Sequence, residues 1–249
     1  MAPLLLISAC GLAREIIAIM RETNYPNEVI GILDDNPDFQ GRELDGVPVV
    51  GKLEAASRYP KAKFLVCTGG SAGRENAVRR LTRAGITGDR YVSFIDPSVT
   101  VPAGSHIGDG SIVLANVVMT TAVTVGDHAV VMPRVALAYD NVIGDFAILA
   151  AGAALGGQVT VGSGAYLGMN SSIRRGVSVG SRSSIGLGAA VLEDVPAGEK
   201  WGGVPAAPLS VRPVRTAAGD SSPGHTASAR TPRSAFERLT LSASLLALQ

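Results

Sequence analysis

Cut into sixes from Val125, the chain reads VGDHAV, VMPRVA, LAYDNV, IGDFAI, LAAGAA up to Ala154. Each piece opens on an aliphatic residue, and the column runs on in both directions. Ile95, Val101, Ile107, Val113 and Met119 lead into Val125, Val131, Leu137, Ile143 and Leu149. Leu155, Val161, Leu167, Ile173, Val179, Ile185 and Val191 continue it without a skipped beat. Four residues after the column comes a small or β-branched residue, as at Ser111, Val117, Val123, Ala129, Val135, Asn141, Ala147 and Ala153. Glycine recurs directly after it at 108, 126, 144, 156, 162, 168, 180 and 186.

A period of six matches neither an amphipathic helix nor a two-faced strand; it is the mark of a hexapeptide parallel β-helix. Each hexad supplies one short strand and one corner, and three hexads close a triangular coil. The column residue points inward and stacks on its equivalent one coil away. The residue four later also sits inside, close to a corner, and must be small. Glycine after the column is expected to relieve unusual corner dihedrals. Five full coils and most of a sixth are expected, winding left-handed against the usual right-handed crossover.

Working outward, the preceding ninety residues read as alternating strands and helices. Leu4 to Ile7 is a continuous apolar run, typical of a parallel strand covered on both faces. Ser8 to Ala13 turns into a helix ending near Glu22, and Glu28 to Leu33 is a second strand closed by Asp34 and Asp35. Gly46 to Val49 reads as a short edge segment, Leu53 to Arg58 as a helix, and Phe64 to Thr68 as another buried strand. Gly69, Gly70 and Ser71 turn into a helix reaching Arg83. The expected organisation is an α/β Rossmann-like domain over 1–90, a β-helix over 91–212, and a disordered tail over 213–249, rich in Ala, Ser, Thr, Arg, Gly and Pro.

Composition narrows the functional classes. With 22 basic and 21 acidic residues and 4% aromatics, the chain offers neither a basic surface nor stacking platforms, which argues against nucleic acid. Two cysteines, Cys10 and Cys67, make no disulfide framework, so a reducing cytoplasm is the expected setting. Leu6 to Cys10 faintly mimics a lipoprotein cleavage site, but no basic leader precedes it and the apolar run is short; a buried strand is the plainer reading. No stretch approaches the length of a membrane span.

Open α/β sheets bind ligands beyond the carboxyl ends of their strands. Here those ends carry Ser8 to Gly11, Asp34 with Asp35, and Gly69 with Gly70. The first loop keeps too little of the dinucleotide fingerprint to indicate NAD, since Ser8 and Cys10 stand where glycines belong. A helix N-terminus can still hold a phosphate, with Arg74 adding charge. The same glycines would also serve as plain tight turns.

Several motifs together resemble the sugar O- and N-acetyltransferases related to the sialic acid O-acetyltransferase and the bacillosamine-pathway acetyltransferase. They are Ile30-Gly31-Ile32-Leu33-Asp34-Asp35, Asp140-Asn141-Val142-Ile143-Gly144-Asp145-Phe146, and Ile185-Gly186-Leu187-Gly188-Ala189 with Gly203-Val204-Pro205-Ala206. The resemblance covers residues 3 to about 210. It implies a homotrimer with acetyl-CoA or another acyl-CoA between neighbouring solenoids, walled by Ile148, Gly157, Met169, Gly186, Gly188 and Pro205. It implies a small-molecule acceptor, such as a nucleotide sugar, on the N-terminal domain at Gly11, Asp34, Asp35, Gly69 and Arg74. It implies no metal.

One departure bears on chemistry. Where the family carries a catalytic His before the acidic residue, this chain has Tyr139; a second family His falls at Ile148, and an Asn at Met132. Acyl transfer from a thioester needs the acceptor deprotonated as it attacks, a task suited to a group titrating near neutrality. A tyrosine hydroxyl ordinarily titrates near pH 10, so it suits hydrogen-bond donation better; the neighbouring Asp140 is the better base candidate by charge, although such acidic neighbours usually orient the family's His instead. His128 lies on another side of the triangle, with a structural or corner role expected; His106 and His225 are assigned to solvent. Neither cysteine is placed to act as the nucleophile.

Three readings follow from the sequence. One is an acyltransferase with a remodelled centre at Tyr139 and Asp140. Another is a non-catalytic ligand- or partner-binding trimer, and the last is different chemistry in the same cleft using Tyr139. Apolar Ile148 and Met132 further suggest room for an acyl chain longer than acetyl.

Overall fold

The computed structural model describes residues 2–23 and 25–209; the expected tail lies outside them. Residues up to 210 make one compact unit, so the sheet domain and the solenoid can be described together.

The N-terminal sheet is built on β1 (Pro3–Ile7), whose Leu4, Leu5 and Leu6 are fully buried. It pairs in parallel with β2 (Glu28–Leu33) on one side. The short β3 (Glu43–Leu44) and then β4 (Val47–Gly51) precede β5 (Lys63–Val66), which pairs in parallel on the other side of β1. The sheet order β3-β4-β2-β1-β5 puts β4 inside the sheet, between β2 and β3. The segment expected at the edge is therefore internal, and the antiparallel pair of Glu43 and Leu44 provides the edge instead.

Helix α1 (Gly11–Glu22) buries Ala13, Ile16, Ile17 and Met20, a spacing that forms one apolar stripe. Helix α2 (Ser71–Arg83) buries Arg74, Ala77 and Leu81. The helix expected over Leu53–Arg58 is a 3-10 helix.

From Phe94 onward every strand is two residues long until the last coil, and each pairs with the strand eighteen residues away: Thr124 with Val142, Val130 with Ile148, Ala136 with Ala154. Three parallel faces result, forming a left-handed β-helix. The first contains 106–107, 124–125, 142–143, 160–161 and 178–179. The second contains 94–95, 112–113, 130–131, 148–149, 166–167 and 184–185, and the third 118–119, 136–137, 154–155, 172–173 and 190–191. The column residues and the small residues four later form one continuous interior, from Val113 through Leu137 and Ala153 to Val191.

The glycines after the column act differently from the expectation. None of those at 108, 126, 144, 156, 162, 168, 180 and 186 has positive φ. A Cβ on Gly144 would stand 2.6 Å from the Ser163 nitrogen, and one on Gly162 only 2.4 Å from the Ser181 nitrogen. The coils approach too closely there for a side chain. The left-handed corner falls two residues later, and it is filled by Asn116, His128, Arg134, Asp140, Phe146, Gln158, Asn170 and Arg182 as well as by glycine.

Outward residues of the second face are apolar once per coil, at Phe94, Ile112, Val130 and Ile148. Helix α1 covers them, and its Ala13, Ile16, Ile17 and Met20 belong to the same buried cluster. Ile148 is 6% exposed within that cluster, with Met132 packed against it. This corrects the sequence reading of both residues. Their apolarity serves the domain junction, and Ile148 lines no open acyl wall in this chain.

Candidate functional site

The sheet order reverses at β1, between β2 and β5, and the loops there enclose a pocket of ≈190 Å³ lined in part by Ser8, Asp34, Asp35, Thr68, Asn76 and Arg80. Asp34 is nearly buried; its carboxylate accepts the Ala9 N–H at 2.6 Å and the Asn36 N–H at 2.7 Å. It thereby fastens the loop after β1 to the end of β2. Asp35 accepts the Leu53 N–H at 3.1 Å and pairs with Arg80, whose other arm reaches Glu54. The Arg80 guanidinium holds both Asp35 and Glu54 below the usual carboxylate range. Gly11, Gly69 and Gly70 stand at the helix starts with open space where a side chain would be.

Arg74 is the exception among the residues expected to hold an acceptor. It is fully buried, donating to the Val66 carbonyl and, at 3.0 Å, to the Thr68 carbonyl. Burial pushes its pKa down to about 10. The guanidinium thus ties α2 to the end of β5 and presents no charge to a ligand, contrary to the sequence reading. The cation that lines this pocket is the half-buried Arg80, paired with Asp35 and Glu54, a helix position that no motif marked.

The corner from the third face to the first carries Tyr139 and Asp140. Equivalent positions one coil apart form rows, so Tyr139, Gly157 and Arg175 are stacked. The half-buried Tyr139 ring lies over Gly157, where a Cβ would come within 2.4 Å of its Cε1 and Cζ. The Arg175 guanidinium stands 5.7 Å from the ring centroid. It also donates to the Gln158 Oε1 from Nε at 3.2 Å and from Nη2 at 3.0 Å. Asp140 is exposed at φ +58°, in the left-handed region. A phenol, a carboxylate and a guanidinium therefore meet at an open solenoid edge. Arg175 was not singled out from sequence; its place eighteen residues past Gly157 and thirty-six past Tyr139 was the available signal.

The remaining positions lie elsewhere. Met169 and Gly188 occupy the corner between the second and third faces, with Gly186 beginning the same turn one coil later than Gly168. Met169 is 48% exposed, and Leu187 and Val204 beside Gly186 and Pro205 are also exposed. The third face, with outward Val118, Ala136, Ala154, Ser172 and Ala190, separates this edge from the Tyr139 edge. One chain therefore brings Tyr139, Asp140 and Gly157 together, brings Asp34 and Asp35 together, and keeps both groups apart from Met169, Gly188 and Ile148. Among the described residues no cluster of metal-ligating side chains converges, and no helix is long and apolar enough to cross a membrane.

No family model matches the chain. The uncharacterized protein L142 of Acanthamoeba polyphaga mimivirus is 28% identical over 112 residues, a match spanning 45% of this chain and 22% of the viral protein. Solved structures extend much further. PerB from Caulobacter crescentus, in complex with CoA and GDP-perosamine, is 27% identical over 84% of this chain and 98% of its own, with a TM-score of 0.76. The acetyltransferase domain of PglB from Neisseria gonorrhoeae, in complex with acetyl coenzyme A, is 25% identical over 84% of this chain and 99% of its own, with a TM-score of 0.72. An α/β domain followed by a hexapeptide β-helix, matched over 84% of this chain to such proteins, defines the class: this chain is an acyltransferase. The solved structures it is similar to are those of hexapeptide-repeat sugar N-acetyltransferases.

Proposed function

We propose that the chain is a cytoplasmic, homotrimeric enzyme that moves an acyl group from acyl-CoA to an amino or hydroxyl group of a sugar, nucleotide sugar or similar small molecule. The observation carrying this reading is correspondence, over 84% of this chain, with two proteins, one solved with CoA and GDP-perosamine and the other with acetyl coenzyme A. Acceptor and acyl donor would occupy the two ends of the same architecture. The acceptor fits the pocket at Asp34, Asp35, Gly11 and Gly69, with Arg80 as its cation. Acyl-CoA fits the solenoid edges, with the Tyr139 ring over Gly157 on one side and Met169, Gly186, Gly188 and Pro205 on the other, where Gly188 has open space.

Separation of those two edges by the third face supports a site completed between protomers. The small outward residues Ala136, Ala154, Ser172 and Ala190 favour close approach of a second solenoid. In the remodelled centre Asp140 takes the proton of the attacking amine or hydroxyl, the Tyr139 hydroxyl donates to the carbonyl oxygen as negative charge develops on it, and collapse breaks the thioester C–S bond, with the proton passing from Asp140 to the departing CoA sulfur. A second reading, a ligand-binding trimer without turnover, rests on the absence of any histidine from this corner. Different chemistry led by Tyr139 in the same cleft is the third.

Calorimetry with CoA and acetyl-CoA, repeated on Tyr139→His, tests the proposal. Saturable binding by the native chain is expected, and a gain of transfer or thioester hydrolysis in the variant would mark the native corner as disarmed. Absence of CoA binding would overturn the acyltransferase reading.

A further inference from the structure

The solenoid interior is mostly apolar, and a buried amide interrupts it two residues past Tyr139. Residues one coil apart at that small inward position read Val123, Asn141, Val159, Val177 and Val195. All five are buried, Asn141 completely. Its Nδ2 donates to the Gly156 carbonyl at 2.8 Å, while its Oδ1 is buried without a hydrogen-bond partner. A valine there would match its neighbours and leave no side-chain atom unsatisfied, so the half-paired amide is kept at a cost to stability.

The same bond is made elsewhere by a smaller group. Ser93 Oγ donates to the Gly108 carbonyl and Ser111 Oγ to the Gly126 carbonyl, each at 2.7 Å and each fifteen residues on, as Asn141 does to Gly156. Those two bonds lie at the corner that carries His128; the bond from Asn141 lies at the open corner of Tyr139. The Gly156 carbonyl and the Gly157 N–H belong to one trans peptide, so pinning the oxygen inward turns the hydrogen outward. At the His128 corner the equivalent N–H groups, those of Asp109 and Asp127, are taken by the carboxylates of Asp127 and Asp145 at 2.8 and 2.9 Å. At the Tyr139 corner the residue that would cap the Gly157 N–H is Arg175, whose side chain accepts nothing. That N–H accordingly has no acceptor among the described residues. Gly157 also lies under the Tyr139 ring, so a shift of this peptide would move donor and ring together.

We propose that Asn141 is a positioning residue of the acyl-transfer centre. Its buried amide fixes the Gly156–Gly157 peptide, so that the Gly157 N–H joins the Tyr139 hydroxyl in facing the thioester oxygen as negative charge develops there. This role depends on the acyltransferase reading at Tyr139. Asn141 itself touches no substrate; it acts from inside the coil through the peptide it holds.

The test follows thiol release from acetyl-CoA by the full chain, with water as acceptor, since hydrolysis passes through the same tetrahedral oxyanion. Asn141→Val is expected to lower kcat about tenfold, with KM within about twofold of native and Tm unchanged or raised. Asn141→Ser restores the donor that Ser111 supplies at the equivalent position, and kcat should return to within about threefold of native. A native kcat in Asn141→Val, a Tm that falls in step with activity, or a serine variant no better than valine would each overturn the proposal. If the native chain neither binds nor cleaves acetyl-CoA, the acyltransferase reading falls and the role of Asn141 with it. Native turnover with an equally active valine variant would remove the role of Asn141 alone.

Discussion

Two corners of one solenoid, at His128 and at Asp140, share nearly the same backbone, with φ of +55° and +58°. The first is roofed by α2 and Tyr91, and there the imidazole is pushed down to about 4, chiefly by burial. The second is open, and its row holds Tyr139, Gly157 and Arg175. The only described histidine near the junction is thus kept out of useful proton transfer at neutral pH, while the corner suited to chemistry has none. Cover decides what a residue can do on this scaffold more than its place in the repeat.

The comparison can be broken most severely by removing what both corners share. Gly162→Ala puts a methyl against the backbone of the next coil, and we expect a loss of more than about 3 kcal/mol in urea unfolding. A near-neutral result would mean that the coils can spread. The covered corner is sharpened by pH. The lowered folded pKa of His128 gives stability that is present above pH 6.5 and is lost as pH falls toward 4. Between these limits the native chain should lose about 3 kcal/mol more than His128→Asn, and parallel unfolding curves at pH 7 and pH 4 would refute the assignment.

At the open corner, Tyr139→Phe removes only a hydroxyl. Its acyl-transfer rate should fall roughly 10- to 100-fold with unfolding unchanged, as measured by thiol release from acetyl-CoA. Arg175→Ala is the gentlest intervention. Loss of an exposed cation beside the ring should cost about 0.5 kcal/mol, read as a two- to threefold drop in the same assay. A larger effect would promote Arg175 from support to direct participation.

Much of this fold was legible because periodicity is local. The column from Ile95 to Val191 required no knowledge of partners, and every member except the exposed Val101 points inward or packs against the interior. The role of the glycines was misread because a clash with the next coil is invisible when each hexad is considered alone. Arg74 misled for a related reason: its charge suggested a phosphate, whereas the Val66 and Thr68 carbonyls had already claimed it. Ile148 and Met132 looked like an enlarged acyl wall. The apolar outward positions at Phe94, Ile112, Val130 and Ile148 were in the sequence, and reading them as a set would have revealed a covered face. Arg80 carried no motif, since an ion pair across 45 residues leaves no local pattern.

Helix α1 belongs to two interiors at once, the sheet's and the solenoid junction's. The loop that holds Asp34 through the Ala9 N–H ends where this helix begins, so the pocket at Asp34 cannot tilt without dragging the solenoid along. Under the proposed function, acceptors would be gauged by length: a molecule anchored at Asp34 and Asp35 would present its far end at a set distance. Shortening or lengthening the spacer between anchor and reactive group, with both ends kept, would throw the reaction out of reach.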